Sequence, residues 1–113
     1  MKAQTQSKSI RAVPYARSAV ENKAALEMQL TQCREYCHAN ELSIVAEIHE
    51  FGFSGNSLNR PGLIKLRELV ERREVDAVVI ASIDRLGRRI DQVTELVREI
   101  EQAGVCLRLT KGD

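Results

Sequence analysis

The sequence has no tryptophan, and its two tyrosines and two phenylalanines make aromatics only 4% of 113 residues. Aliphatic side chains must therefore build the core. Charge of one sign is also lacking. Lys+Arg is 17 against Asp+Glu 16, a formal net charge of +1, which excludes a histone-like or polybasic binder. A nucleic-acid role would need basic residues gathered locally. No apolar run approaches membrane-spanning length. The start, MKAQTQSKS, has no apolar stretch after its lysines, so it does not read as a secretory signal, and the cytoplasm is the default location. No GxxxxGK[ST] and no GxGxxG occurs, which removes the usual nucleotide-binding explanations.

Cysteine is scarce too. Cys33, Cys37 and Cys106 are odd in number, which argues against a disulfide framework. Cys33 and Cys37 with adjacent His38 suggest metal only weakly. On a helix Cys37 and His38 point about 100° apart, and no second ligand pair exists. They read as small core residues, with no metal and no cofactor implied.

What remains is one domain's length of chain, 43% hydrophobic and 29% charged. Residues 1–9 are polar, lack periodicity and read as a flexible tail. Ile10–Arg17 is an extended segment in which Pro14 is awkward, because it cannot donate a ladder hydrogen bond. Either the strand is strained there, or no partner needs that N–H. From Ala24 to Asn40, Leu26, Leu30, Cys33 and Cys37 recur at helical spacing, with Asn40 as a stop. Leu42–Ile48 is a strand. Residues 49–62, HEFGFSGNSLNRPG, form an irregular Gly-rich loop. Asn59 is expected to cap a helix with Pro61 in its first turn. Its stripe is Leu63, Leu66, Leu69 and Val70. Asp76–Ser82 is a strand buried on both faces, and IDRLGRR is a polar turn after it. Arg89–Ala103 is a third helix, with Ile90, Val93, Leu96, Val97 and Ile100 on one side. Gly104 ends it, and Val105–Leu109 is the last strand.

Strands alternating with helices imply a three-layer α/β fold, with a mostly parallel open sheet flanked by helices. Ligands of such sheets bind outside the carboxyl ends of the strands. Arg17-Ser18, the Gly-rich loop and Asp84–Arg88 fall there. They bring Arg17, Arg60, Arg85 and Arg88 together with the hydroxyls of Ser18, Ser54 and Ser57 and the carboxylate of Asp84. Arginines around a hydroxyl suit phosphoryl transfer, because guanidiniums bind nonbridging oxygens bidentately and offset charge on phosphorus. Taken singly, each arginine reads as well as a solvated surface side chain.

YARSAV (Tyr15–Val20), LEMQL (Leu26–Leu30), FSGNSLNRPGL (Phe53–Leu63) and IDRLGRRIDQV (Ile83–Val93) together resemble the resolvase/invertase serine recombinases. The resemblance runs from Ile10 to Asp113. It implies a catalytic domain over 10–113 that cuts DNA with a serine nucleophile, forms a 5′-phosphoserine link with a free 3′-hydroxyl, and rejoins strands within a tetramer without metal or ATP. By motif, Arg17 would contact the scissile phosphate and Arg60 would bind phosphate. Gln29 would support the active-site loop, and Ser54 would position the site. Asp84, Arg85 and Arg88 would serve leaving-group protonation and transition-state charge.

The first motif departs from the family's usual Tyr-x-Arg-x-Ser. Aligned without a gap, the nucleophile position is Ala19, and Ser18 stands one residue early. Strand neighbours point to opposite faces. A one-residue slide of the following loop would make Ser18 the nucleophile. The alternative is an impaired recombinase-like module that binds DNA or partner subunits. An unrelated flavodoxin-like or receiver-type domain lacks its expected phosphate loop or paired-acid pocket. Glu50-Phe51-Gly52-Phe53 is a second departure, with both phenylalanines expected as packing anchors. The resemblance also implies that a dimerisation helix and a DNA-binding region would lie beyond Asp113. The domain by itself would then bind DNA weakly and without sequence choice. Dimers or tetramers would belong to the full-length protein, and no membrane partner is implied.

Overall fold

The computed structural model describes residues 9–18 and 22–111. The expected tail, apart from Ser9, lies outside them, as does Ala19. Strand β1 (Ile10–Ser18) is followed by helix α1 (Lys23–Ala39), β2 (Leu42–Ile44), β3 (Ile48–Phe51), helix α2 (Pro61–Glu71), β4 (Ala77–Ile80), a short 3-10 turn (Ile83–Arg85), helix α3 (Ile90–Gln102) and β5 (Cys106–Leu109). All pairings are parallel. β1 is central, with β2 and β3 on one edge, β4 on the other, and β5 beyond β4.

The period of two along β1 sorts the core into layers. Val13 and Tyr15 join Leu63, Leu66 and Val70 of α2 and Leu96 and Ile100 of α3 on one face. Ala12 and Ala16 face α1, where Cys33 and Cys37 pack near Leu42 and Val79, and Leu26 and Leu30 cover Ala16. This is the expected three-layer sandwich. Cys33 and Cys37 lie in the core, whereas Cys106 is exposed, and burial pushes the Cys33 thiol up to about 12.

Pro14 explains the main departure from the predicted elements. The single strand expected over Leu42–Ile48 is broken into β2 and β3. The Ala12 carbonyl accepts from Val45 N–H and the Ser18 carbonyl from Gly52 N–H. By alternation, the missing donor of Pro14 faces that same edge. Pairing with β2 ends at Ala12, pairing with β3 begins at Tyr15, and Pro14 falls in the gap. The neighbouring strand breaks where β1 has no N–H to offer.

Other boundaries shift for local reasons. Arg60, not Asn59, is the N-cap of α2, because Pro61 occupies the first helical position that its fixed φ suits. Of the α3 stripe, Leu96 and Ile100 are buried, whereas Ile90 is 83% exposed. Ile90 opens the helix directly after the loop that follows β4, beside Ile83, Gly87 and Val93. Phe51 packs against the Ala16 cluster, whereas Phe53 is exposed and joins none of the buried clusters.

Candidate active site

The carboxyl end of β1 is clamped from the α1 side. Gln29 accepts from Arg17 N–H through Oε1 at 3.1 Å and donates through Nε2 to the Arg17 carbonyl at 2.9 Å. One buried amide therefore satisfies both backbone groups of the residue that precedes Ser18. The helix phase that puts Leu26, Leu30 and Cys33 into the core also puts Gln29 there.

A second cluster lies on the opposite face. Glu50 of β3, almost fully buried, accepts from Tyr15 Oη and from Arg60 Nε at 3.0 Å. Its other oxygen accepts from Gly62 N–H at 2.7 Å. That carboxylate replaces the side-chain cap that Arg60 does not supply to α2. Arg60 also donates from Nη1 to the Ser54 and Ser57 carbonyls and from Nη2 to Tyr15 Oη and the Leu86 carbonyl. Every N–H of this guanidinium has an acceptor inside the protein. Burial, followed by the bond to Glu50, raises the Tyr15 phenol far above its ordinary value, so it stays neutral.

The cluster also dictates a glycine. A Cβ on Gly62 would come within 2.5 Å of Glu50 Cγ. Gly62→Ala is expected to cost about 1–3 kcal/mol through overpacking, read as a lower urea midpoint. An unchanged midpoint would show that Glu50 is free to move.

Arg17 is 4% exposed and extends toward the loop after β4. It donates from Nε to the Arg85 carbonyl, from Nη1 to the Phe53 carbonyl and from Nη2 to the Asp84 carbonyl, at 3.0, 3.0 and 2.8 Å. It thus ties the Gly-rich loop to the IDRLGR segment. Burial, then the nearby Arg60, lowers its pKa. Asp84 accepts from the Ser82 hydroxyl, and that bond, with the charges of Arg85 and Arg17, holds its carboxyl below the usual value. Asp84 is therefore ionised near neutral pH. Arg88 is exposed, and its backbone N–H donates to the Gly55 carbonyl at 2.9 Å. Ser54 Oγ accepts from Asn56 N–H and Ser57 Oγ from Asn59 N–H, so both hydroxyls shape the loop.

Arg17, Arg60, Asp84 and Arg85 thus meet at one end of the sheet, and Gln29 holds the strand that leads to them. Ser18 is divided from part of this group. It ends β1 on the face of Ala16, toward α1, in a cleft shared with Gln29, Gln32, Arg85 and Lys111. Arg17 and Arg60 project from the other face. In the sequence, Glu50 stands out only within a departure from the family's usual residues and is not placed in the site. The available signal was a carboxylate leading into a Gly-rich loop that faces several arginines. Among the described residues no group of His, Cys, Asp or Glu is placed to hold a metal ion, and no helix is long and apolar enough to cross a membrane.

The family model described as "Resolvase, N terminal domain" matches residues 12–113. The chain belongs to the resolvase family. Among its relatives, a resolvase/recombinase of Pseudomonas putida is 42% identical over 55 residues, 49% of this chain and 29% of that protein. The transposon Tn501 resolvase of Pseudomonas aeruginosa is 37% identical over 71 residues, 63% of this chain and 37% of the relative. The match therefore spans about a third of the curated relatives' length. Among solved structures, the C-terminal catalytic domain of ISC1926 TnpA, an IS607-like serine recombinase, superposes with a TM-score of 0.85 at 35% identity. That superposition covers 91% of this chain and 72% of the other. The N-terminal catalytic domain of TP901-1 integrase shares the fold, with a TM-score of 0.83 at 23% identity over 90% of this chain and 79% of that one. The resolvase fold is thus the sheet order and helix placement described above.

Proposed function

We propose that this resolvase domain cleaves and rejoins DNA through a phosphoserine intermediate, with Ser18 as nucleophile. Ser18 Oγ bonds to phosphorus as the P–O3′ bond breaks. The serine proton is lost to solvent, and the departing 3′-oxygen, held by a hydrogen bond from Arg85, takes its proton from solvent. One phosphodiester replaces another, so the bond energy needed for rejoining is kept and no external energy source enters. Guanidiniums supply the positive charge that the pentavalent phosphorus requires. Asp84, being ionised, contributes charge and orientation rather than a proton.

The observation that carries this reading is the meeting of residues from four separate motifs at the carboxyl end of β1, where Arg17 binds the Phe53 and Asp84 carbonyls and Gln29 fixes its backbone. The experiment uses the full-length protein on its own recombination site. A covalent protein–DNA adduct is expected from the wild type and is expected to vanish in Ser18→Ala. Undiminished adduct in that variant would rule out Ser18 as the nucleophile, and adduct that appears only on Ala19→Ser would favour the impaired-module reading instead.

A further inference from the structure

Gly55 lies where the Gly-rich loop meets the IDRLGR segment. Its carbonyl accepts from Arg88 N–H at 2.9 Å, which fixes the root of the Arg88 side chain against the loop. The side of Gly55 that a Cβ would occupy is already filled. A Cβ there would lie 2.6 Å from Arg88 Cγ and 2.8 Å from Arg17 Nη2. Two arginines that the motifs nominate for the reaction therefore pass the same point, and a bare Cα is what lets them. By motif, this loop gives roles to Ser54 and Arg60 and none to Gly55.

The two arginines would answer a methyl group at that point differently. Arg17 is buried, and its nitrogens donate to the Arg85, Phe53 and Asp84 carbonyls, so it is held in place. Arg88 is exposed, and its guanidinium makes no hydrogen bond or ion pair to the described residues. It yields by changing rotamer, and a turn of about 120° at χ1 or χ2 carries the guanidinium to another part of the surface. Gly87, across the seam, is not equivalent. The nearest neighbours of a Cβ on Gly87 would be Val93 Cγ2 at 3.2 Å, the Gly55 carbonyl at 3.5 Å and Leu58 Cδ2 at 3.7 Å. Gly87 thus bears on the spacing of the two loops, and Gly55 on the direction of Arg88.

We propose that Gly55 is a positioning residue for strand cleavage: by carrying no side chain, it holds the Arg88 stem across the Gly-rich loop, beside the Arg17 guanidinium. The proposal rests on the chain cleaving DNA and is independent of which serine attacks. An arginine aimed by a salt bridge spends donors on the carboxylate. One aimed by the packing of its stem keeps its whole fork of N–H groups for the nonbridging oxygens of a phosphate. Gly55 therefore acts through Arg88 and touches no substrate itself.

The test compares Gly55→Ala with the wild type in the full-length protein on its own recombination site, by single-turnover formation of the protein–DNA adduct. At saturating protein the rate is expected to fall about a hundredfold, a cost that misplacing a reacting group by about 1 Å can carry. The protein concentration for half-saturation is expected to change less than about twofold. Gly104→Ala is strained by a φ of +82° at a point with nothing within 4 Å. It is expected to leave both values unchanged, which separates positioning from a general loss of stability. Heteronuclear spectra of the arginine Nε–H groups show which side chain yields. In Gly55→Ala the Arg88 signal is expected to move and that of Arg17, bonded to the Arg85 carbonyl, to stay. An unchanged adduct rate in Gly55→Ala, or a shifted Arg17 signal beside an unmoved Arg88 signal, would overturn the positioning role and leave the recombinase reading standing. A wild-type protein that forms no adduct would overturn both.

Discussion

Glu50→Ala is expected to lower the folding free energy by about 3–5 kcal/mol, the usual cost of removing one partner from a buried ion pair. Arg60 would be left almost fully buried with no counter-charge, and Gly62 N–H and Tyr15 Oη would lose their acceptor together. Glu50→Gln keeps the side-chain shape and an acceptor for one of those donors, so it should lie between the alanine variant and the wild type. Urea denaturation followed by circular dichroism measures both. A loss below about 1 kcal/mol for Glu50→Ala would show that Arg60 finds water on its own. Replacing the whole cluster by apolar residues is commonly near neutral. What the cluster contributes here is a fixed relation between β1, the Gly-rich loop and the first turn of α2.

Arg17→Met should cost about 2–3 kcal/mol, since one flexible apolar chain replaces a buried guanidinium and strands its acceptors. The effect is also local. Arg17 joins the Phe53 carbonyl to those of Asp84 and Arg85, so two loops lose their common fastening. Amide hydrogen exchange is expected to quicken over residues 53–57 and 83–88 while β4 stays protected, because β4 is buried on both faces. Exchange that rises evenly across the sheet would mean that Arg17 serves global stability and does not latch these loops.

The α/β order was legible because apolar spacing changes cleanly from the period of the helices to the continuous run of Ala77–Ile80. Pro14 was legible as an anomaly. Its consequence, a break in the strand beside it, was not, because that depends on which edge its nitrogen faces. The cap of α2 moved by one residue because Pro61 dictates where the helix begins and Glu50, remote in sequence, supplies the acceptor. The motif residues fell at the strand ends as expected. The state of their donors was hidden, since Arg17 and Arg60 are occupied largely by the main-chain carbonyls of Phe53, Ser54, Ser57, Asp84, Arg85 and Leu86. Carbonyls are common to every residue and leave no mark in a sequence. The facing of Ser18 away from Arg17 followed from strand alternation alone. What the structure adds is the cleft it faces, lined also by Gln29, Gln32, Arg85 and Lys111.

The most direct test of Ser18 as the nucleophile is to locate the phosphate. The full-length protein would be trapped on its recombination site, the DNA digested to a residual nucleotide, and the modified peptide sequenced by mass spectrometry. The predicted result is a nucleotide joined through its 5′-phosphate to Ser18 and to no other residue. A nucleotide on another side chain, or DNA cleaved with no phosphate retained on the protein, would contradict it.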